Sequence, residues 1–278
     1  MLCWASTIAS GASTKELNLN IMAENSKIEW TDHTVNLWWG CTKVHAGCDN
    51  CYAETLSHRW NNDLWGEGKP RKRIKSAFKD LGKYQKQAKK LGVNYRVFVG
   101  SMMDIFEKSK PLSNPSALFA TTGAMRDYLF DMIKGGNYEN LTFLFLTKRP
   151  SNIHKMMPIE WLSDQPDNVW FGTSPVDQPT FERLVPQLTK HTYKNRFLSV
   201  EPQLSEIKNI DLSEIDWVIQ GGESGHGKRP FKLEWADRMK VECKTQNVPY
   251  FFKQIDKVQP IPENYLIREL PFKTLVDA

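Results

Sequence analysis

Seven short runs of β-branched and aromatic residues recur along the chain, and helical patterns separate most of them. The runs are Val35–Trp39, Arg96–Gly100, Leu141–Leu146, Val169–Gly172, Arg196–Val200, Trp217–Gln220 and Pro249–Phe252. Helical spacing of apolar residues marks Tyr52–Trp60, Leu118–Ile133, Phe181–Leu188 and Leu233–Cys243. Strands that alternate with helices are joined by crossovers and therefore lie parallel. The expected class is α/β, a (β/α) TIM-type barrel that is closed or partly open, with a doubly wound sheet as the alternative. With 278 residues, 40% of them hydrophobic, the chain suffices for one such domain.

Each run ends in small or polar residues: Ser101–Asp104, Thr147–Pro150, Thr173–Ser174, Glu201–Pro202, Gly221–Ser224 and Lys253–Gln254. Barrels and open parallel sheets both bind ligands at the carboxyl ends of their strands, so either topology puts the site there. Met1–Ile21 mix Ser, Thr, Ala and Gly without a period and lack the basic start and apolar run of a secretion signal. We expect residues 1–21 to be a disordered or non-native extension. Residues 22–278 then form one domain, whose tail from Pro260 onward packs irregularly at the surface. No apolar stretch approaches a membrane span.

Cys41, Cys48 and Cys51 fall within eleven residues, directly before a helical pattern, and make up three of five cysteines. An odd count with such clustering argues against a disulfide framework and for a reducing, cytoplasmic setting with metal or redox chemistry. Three thiolates in one loop can hold three irons of a [4Fe-4S] cluster and leave the fourth open. S-adenosylmethionine can chelate that open iron through its amino and carboxylate groups, and one electron then cleaves its sulfonium bond. The competing reading is zinc, because His45 makes the segment Cys-x3-His-x2-Cys-x2-Cys, a full tetrahedral ligand set. The other histidines show no ligand spacing, and Cys243 sits on a helical pattern where it should be buried and inert.

Trp38–Glu54, the Phe98–Asp104 strand end, Leu146–Pro150, Phe171–Ser174, Ser199–Pro202, Gly221–Gly225 and Phe252–Gln254 together resemble the phage and prophage three-cysteine-motif proteins. The resemblance runs from about Ile28 to Gln254. It implies a radical S-adenosylmethionine barrel, an electron donor and a substrate it does not name. The spacing here is Cys-x6-Cys-x2-Cys, three residues longer in its first loop than the commonest radical-enzyme motif. His45 stands where such sequences often carry Ser. In radical enzymes a Gly-Gly-Glu element holds the methionine amino group after the second strand, whereas Gly221, Gly222 and Glu223 follow the sixth run here. They are candidates for cofactor, ribose or substrate.

Ser101 and Asp104 end the second run and are candidates for cofactor binding, as is Ser174 after the fourth. Asp104 has a helix N-cap as its plainer role. Glu201, held extended by Pro202, and Lys148 are the candidate catalytic groups. An ion pair of Glu201 with Lys148, Arg149 or Lys253 is the plainer reading, and those three bases also suit a phosphate or carboxylate.

The net charge of +5 is uneven. Residues 69–90 hold ten Lys and Arg against Asp80, a local +9 that leaves −4 for the rest. Ile74, Phe78, Leu81, Ala88 and Leu91 recur there at helical spacing, so a basic amphipathic helical insertion is expected near 69–91. Its outer face is a candidate for nucleic-acid phosphates, beside a small-molecule or nucleotide substrate in the site. A non-enzymatic, zinc-stabilised nucleic-acid-binding protein is therefore the second functional reading.

Overall fold

The computed structural model describes Ser26 and residues 28–272, so the expected extension at 1–21 lies outside the described residues. In chain order the elements are β1 (His33–Val35), β2 (Trp38–Trp39), α1 (Tyr52–Arg59), β3 (Lys72–Arg73), α2 (Ala77–Leu91) and β4 (Tyr95–Val99). There follow α3 (Thr122–Lys134), β5 (Leu141–Thr147), α4 (Ile153–Met156), β6 (Val169–Thr173), α5 (Gln178–Thr189) and β7 (Arg196–Val200). The last are β8 (Trp217–Gly221), α6 (Leu233–Thr245) and β9 (Tyr250–Gln254). Seven strands form one sheet in the order β1-β4-β5-β6-β7-β8-β9, parallel throughout. The order never reverses, as it would at the switch point of a doubly wound sheet. The sheet curls into a half-barrel, which is the open form of the expected barrel.

Both faces are covered, which is why the strands read as almost unbroken apolar runs. Val97, Val99, Phe143, Phe145, Phe171, Leu198, Val218 and Phe252 belong to the main core, together with the helix residues Leu81, Leu129, Leu188 and Met239. The alternate residues Phe98, Leu144, Trp170, Phe197, Trp217, Ile219 and Phe251 pack around Trp30 on the other face. Trp30 precedes β1 and inserts its ring 4.7 Å from Phe98 and 6.1 Å from Trp217, centroid to centroid.

The tail is more ordered than its composition suggests. Phe252 N–H donates to Ile267 O (3.0 Å) and Glu269 N–H to Tyr250 O (3.1 Å), so the tail covers the outer edge of β9. Phe272 packs at a tilt on Trp170 (centroids 5.0 Å) and edge-on to Trp217 (5.6 Å). Arg268 then pairs with Glu29 at 2.9 Å, which ties the β9 side to the segment entering β1.

Two expectations shift locally. The first strand stops at Val35, because the Asn36 side chain leaves the ladder to bind Ser101 Oγ (2.8 Å) and Met102 N–H (2.7 Å). Trp38 and Trp39 pair antiparallel with β3 instead. The basic insertion is helical only over Ala77–Leu91, ending at Gly92 in the left-handed region. Lys79, Lys83, Lys86 and Lys90 are exposed, whereas Arg71 is fully buried. Cys243 is buried on α6, and burial pushes its thiol up to about 12. Among the described residues no helix is long and apolar enough to cross a membrane.

Trp30→Ala should cost about 3–5 kcal/mol in urea denaturation, since it empties the centre of the concave face. A loss below about 1 kcal/mol would show that this face holds together without its plug.

Candidate functional site

One cavity opens at the carboxyl ends of the strands, where the sequence places the site. Its wall includes Cys41, Cys48, Cys51, Ser101, Asp104, Lys148, Ser174, Glu201, Gly222 and Glu223. Gly221 lies behind the wall, against Gln254.

The Cys41 loop hangs from two arginines. Gly40 has φ +115°, and a Cβ there would lie 2.6 Å from Leu64 O, so only glycine fits. Arg71 is wholly buried and forks onto Glu107 at 2.9 and 2.7 Å. It also donates to Leu64 O (2.8 Å) and Thr42 Oγ1 (2.8 Å). Arg149 donates to Thr42 O (2.6 Å) and Asp104 Oδ2 (2.8 Å), and one guanidinium nitrogen lies 3.9 Å from Cys41 Sγ. Asp104 accepts further from Thr147 Oγ1 (2.7 Å), Phe106 N–H (3.0 Å) and Lys148 N–H (3.2 Å). It is a buried bracket between the ends of β4 and β5, not the cap of a regular helix.

Arg229 clamps the second half of the loop. Residues Ala46–Cys48 form a 3-10 turn, and Cys51 stands at the N-cap of α1. Arg229 donates to Ala46 O (3.1 Å) and Asp49 Oδ2 (3.4 Å) while forking onto the Glu223 carboxylate. Glu223 also accepts from Asn50 Nδ2 at 2.9 Å, one residue before Cys51. Burial pushes the Glu223 carboxyl up, but the hydrogen bonds from Arg229 and Asn50 outweigh it and hold the group below the usual carboxylate range. Gly222 lets this loop approach closely, since a Cβ would sit 2.0 Å from Ile255 O.

All three loop cysteines are free thiols. Ala53, Leu64, Trp65 and Met102 form an apolar cluster beside them, with Trp39, Cys41 and Cys51 packed against it. Burial, then the Asp104 carboxylate, pushes the Cys41 thiol up to about 12, and Arg149 offsets this only in part. Cys41 is therefore a neutral thiol at pH 7 until a cation displaces its proton. The three thiols share a wall without forming a ligand group, and no other trio of His, Cys, Asp or Glu forms one among the described residues. His45 is absent from the wall. Its Nδ1 accepts from Gly47 N–H (3.1 Å), and burial, then Lys148 and Arg183, lowers it to about 4.

Glu201 is engaged by Lys253, which leaves Lys148 as the base without a carboxylate partner. Ser101 Oγ accepts from Asn36 and Ser101 O accepts from Tyr52 O–H (2.8 Å). Ser174 is fully buried, and its hydroxyl has no partner. Arg71, Glu107 and Arg229 escape the sequence reading. Arg71 hides within the basic run, and no spacing singles out the other two.

A parallel half-barrel carrying a thiol-lined cavity at the carboxyl ends of its strands is the class that fold and site define. The chain belongs to the family described as Protein of unknown function (DUF5131), whose model matches residues 25–265. No curated protein and no solved structure matches it.

Arg229→Ala should speed amide hydrogen exchange across residues 46–51 at least tenfold while leaving β5 and β6 unchanged, because charge-assisted bonds of about 1.5–3 kcal/mol each are lost. Unchanged exchange in the loop would show that Arg229 does not hold it.

Proposed function

We propose that this chain is a radical S-adenosylmethionine-type enzyme that holds a [4Fe-4S] cluster through Cys41, Cys48 and Cys51. One observation carries the reading: the three thiols, none in a disulfide, open on a single cavity at the ligand-binding end of a parallel half-barrel. The donor set fits the group, since three thiolates hold three irons and leave the fourth for S-adenosylmethionine. When bound, the cluster supplies the electron that cleaves the sulfonium bond, and an external reductant must restore it.

The chain's own residues have separate tasks under this reading. Arg149 places a positive charge 3.9 Å from Cys41 Sγ, which favours thiolate over thiol. Trp65, Met102 and Trp39 give Cys41 and Cys51 an apolar side. The side chains of Ser174 and Lys148 are left without partners to meet cofactor and substrate, while Ser101 and Glu201 face the same cavity from within their pairs with Asn36 and Lys253. Because His45 stands outside the cavity wall, the zinc set of His45 with the three cysteines has less support.

Anaerobic reconstitution with iron and sulfide should give a brown protein with about four irons per chain. Replacing the three cysteines by alanine should abolish the colour, and His45→Ala should leave the iron content intact. Stoichiometric zinc without iron uptake, released by His45→Ala, would overturn the cluster in favour of a zinc-stabilised protein.

The exposed row Lys79, Lys83, Lys86 and Lys90 on α2 supports a polyanion partner, such as nucleic acid, since residues three and four apart share one helix face. Binding of DNA or RNA in a gel-shift assay should fall steeply with salt, because each neutralised phosphate releases counterions. Reversing the four charges should weaken binding without changing iron content. No binding at low salt would mark the row as a solvated face.

A further inference from the structure

Most of the charges that line the cavity are already matched. Lys43 pairs with Glu54 at 2.8 Å, Asp104 with Arg149 at 2.8 Å, Glu201 with Lys253 and Glu223 with Arg229. Lys148 is the exception: among the described residues its ammonium has no hydrogen bond or ion pair. The cavity therefore carries one uncompensated positive charge.

A second, independent feature lies beside it. Ser174 is fully buried in the same wall, yet its hydroxyl has no partner. Leaving a buried hydroxyl without a partner is costly, so a ligand atom is the natural complement. Sheet register brings the two residues together. Thr147 pairs with Thr173 across β5 and β6, and Thr173 with Leu198 across β6 and β7. Lys148 and Ser174 directly follow the ends of β5 and β6, and Ser199 is the next residue on β7, so the three continue one row across neighbouring strands spaced about 4.8 Å. All three line the cavity. Below the row the wall turns apolar, with Leu146, Phe98, Trp30 and Ile28.

We propose that Lys148 Nζ, Ser174 Oγ and Ser199 Oγ form a subsite for the phosphate group of the substrate, whose apolar portion faces Leu146, Phe98 and Trp30. Donors from three strands approach a ligand from several directions, which suits the tetrahedral oxygens of a phosphate better than the two coplanar oxygens of a carboxylate. Arg149 and Lys253 have no part in the subsite, because Asp104 and Glu201 neutralise them. The inference rests on the enzymatic reading for the word substrate, while the phosphate contacts stand on the cavity alone.

The test uses reconstituted full-length protein and inorganic phosphate, titrated at constant ionic strength with potassium chloride. Bound ligand raises the unfolding midpoint in proportion to its occupancy. Wild type and Lys148→Arg should show the rise, while Lys148→Met should weaken apparent phosphate affinity by at least about tenfold. Ser174→Ala should also weaken it, yet without phosphate its midpoint should equal or exceed that of wild type, because the orphaned hydroxyl is gone. A response in Lys148→Met equal to wild type, or an equal response to acetate, would overturn the phosphate subsite. Iron content measured on the same samples separates the two readings. Iron bound without a phosphate response rejects the subsite alone, and a phosphate response without iron rejects the cluster alone.

Discussion

The buried pairing of Arg71 with Glu107 and of Arg149 with Asp104 is the constraint on which the rest of the site depends. Both arginines end on Thr42, one at its hydroxyl and one at its carbonyl, so the residue after Cys41 is gripped from two sides. Glu107 lies 3.8 Å from Arg149 as well, which joins the two pairs into one network. Such groups are tolerated in the interior only because nearly every donor and acceptor is matched; removing one partner from a buried pair costs about 3–5 kcal/mol. The network thus converts burial energy into the position of a single loop.

That loop is anchored at three points that are remote in sequence. Arg71 approaches from the segment before α2, Arg149 from the end of β5, and Arg229 from the loop after β8. The half-barrel makes this possible by bringing the carboxyl ends of its strands to one rim. Trp30 and Phe272 fill the concave side lower down, so the cavity is confined to the rim. Apolar packing below and charged brackets above divide the concave face into a plug and a site.

Charge is divided in the same way. Strong bases near the cysteines are spent on carboxylates, Lys148 stands without one in the cavity, and a row of exposed lysines stands on the outer face of α2. Arg71 and Lys79 belong to one basic run in sequence and to opposite environments in space: the first is buried in an ion pair, the second faces solvent.

By itself the sequence determined the α/β class, six of the seven sheet strands, the principal helices and the rim where the cavity lies. These follow from local periodicity and from the small and polar residues that end each strand, which depend only on near neighbours along the chain. Tertiary structure alone decided that the sheet stays open, that β1 ends at Val35 and that the tail seals β9, since each rests on contacts between distant segments such as Asn36 with Met102 and Ile267 with Phe252. It also decided which strand-end groups are engaged. Asp104, Glu201 and Glu223 look alike as carboxylates in a sequence, but the first two meet a base from another strand end, the third meets Arg229 of its own loop, and Lys148 meets no carboxylate among the described residues. Pairing of charges is a property of distance in space, which residue type and spacing do not encode.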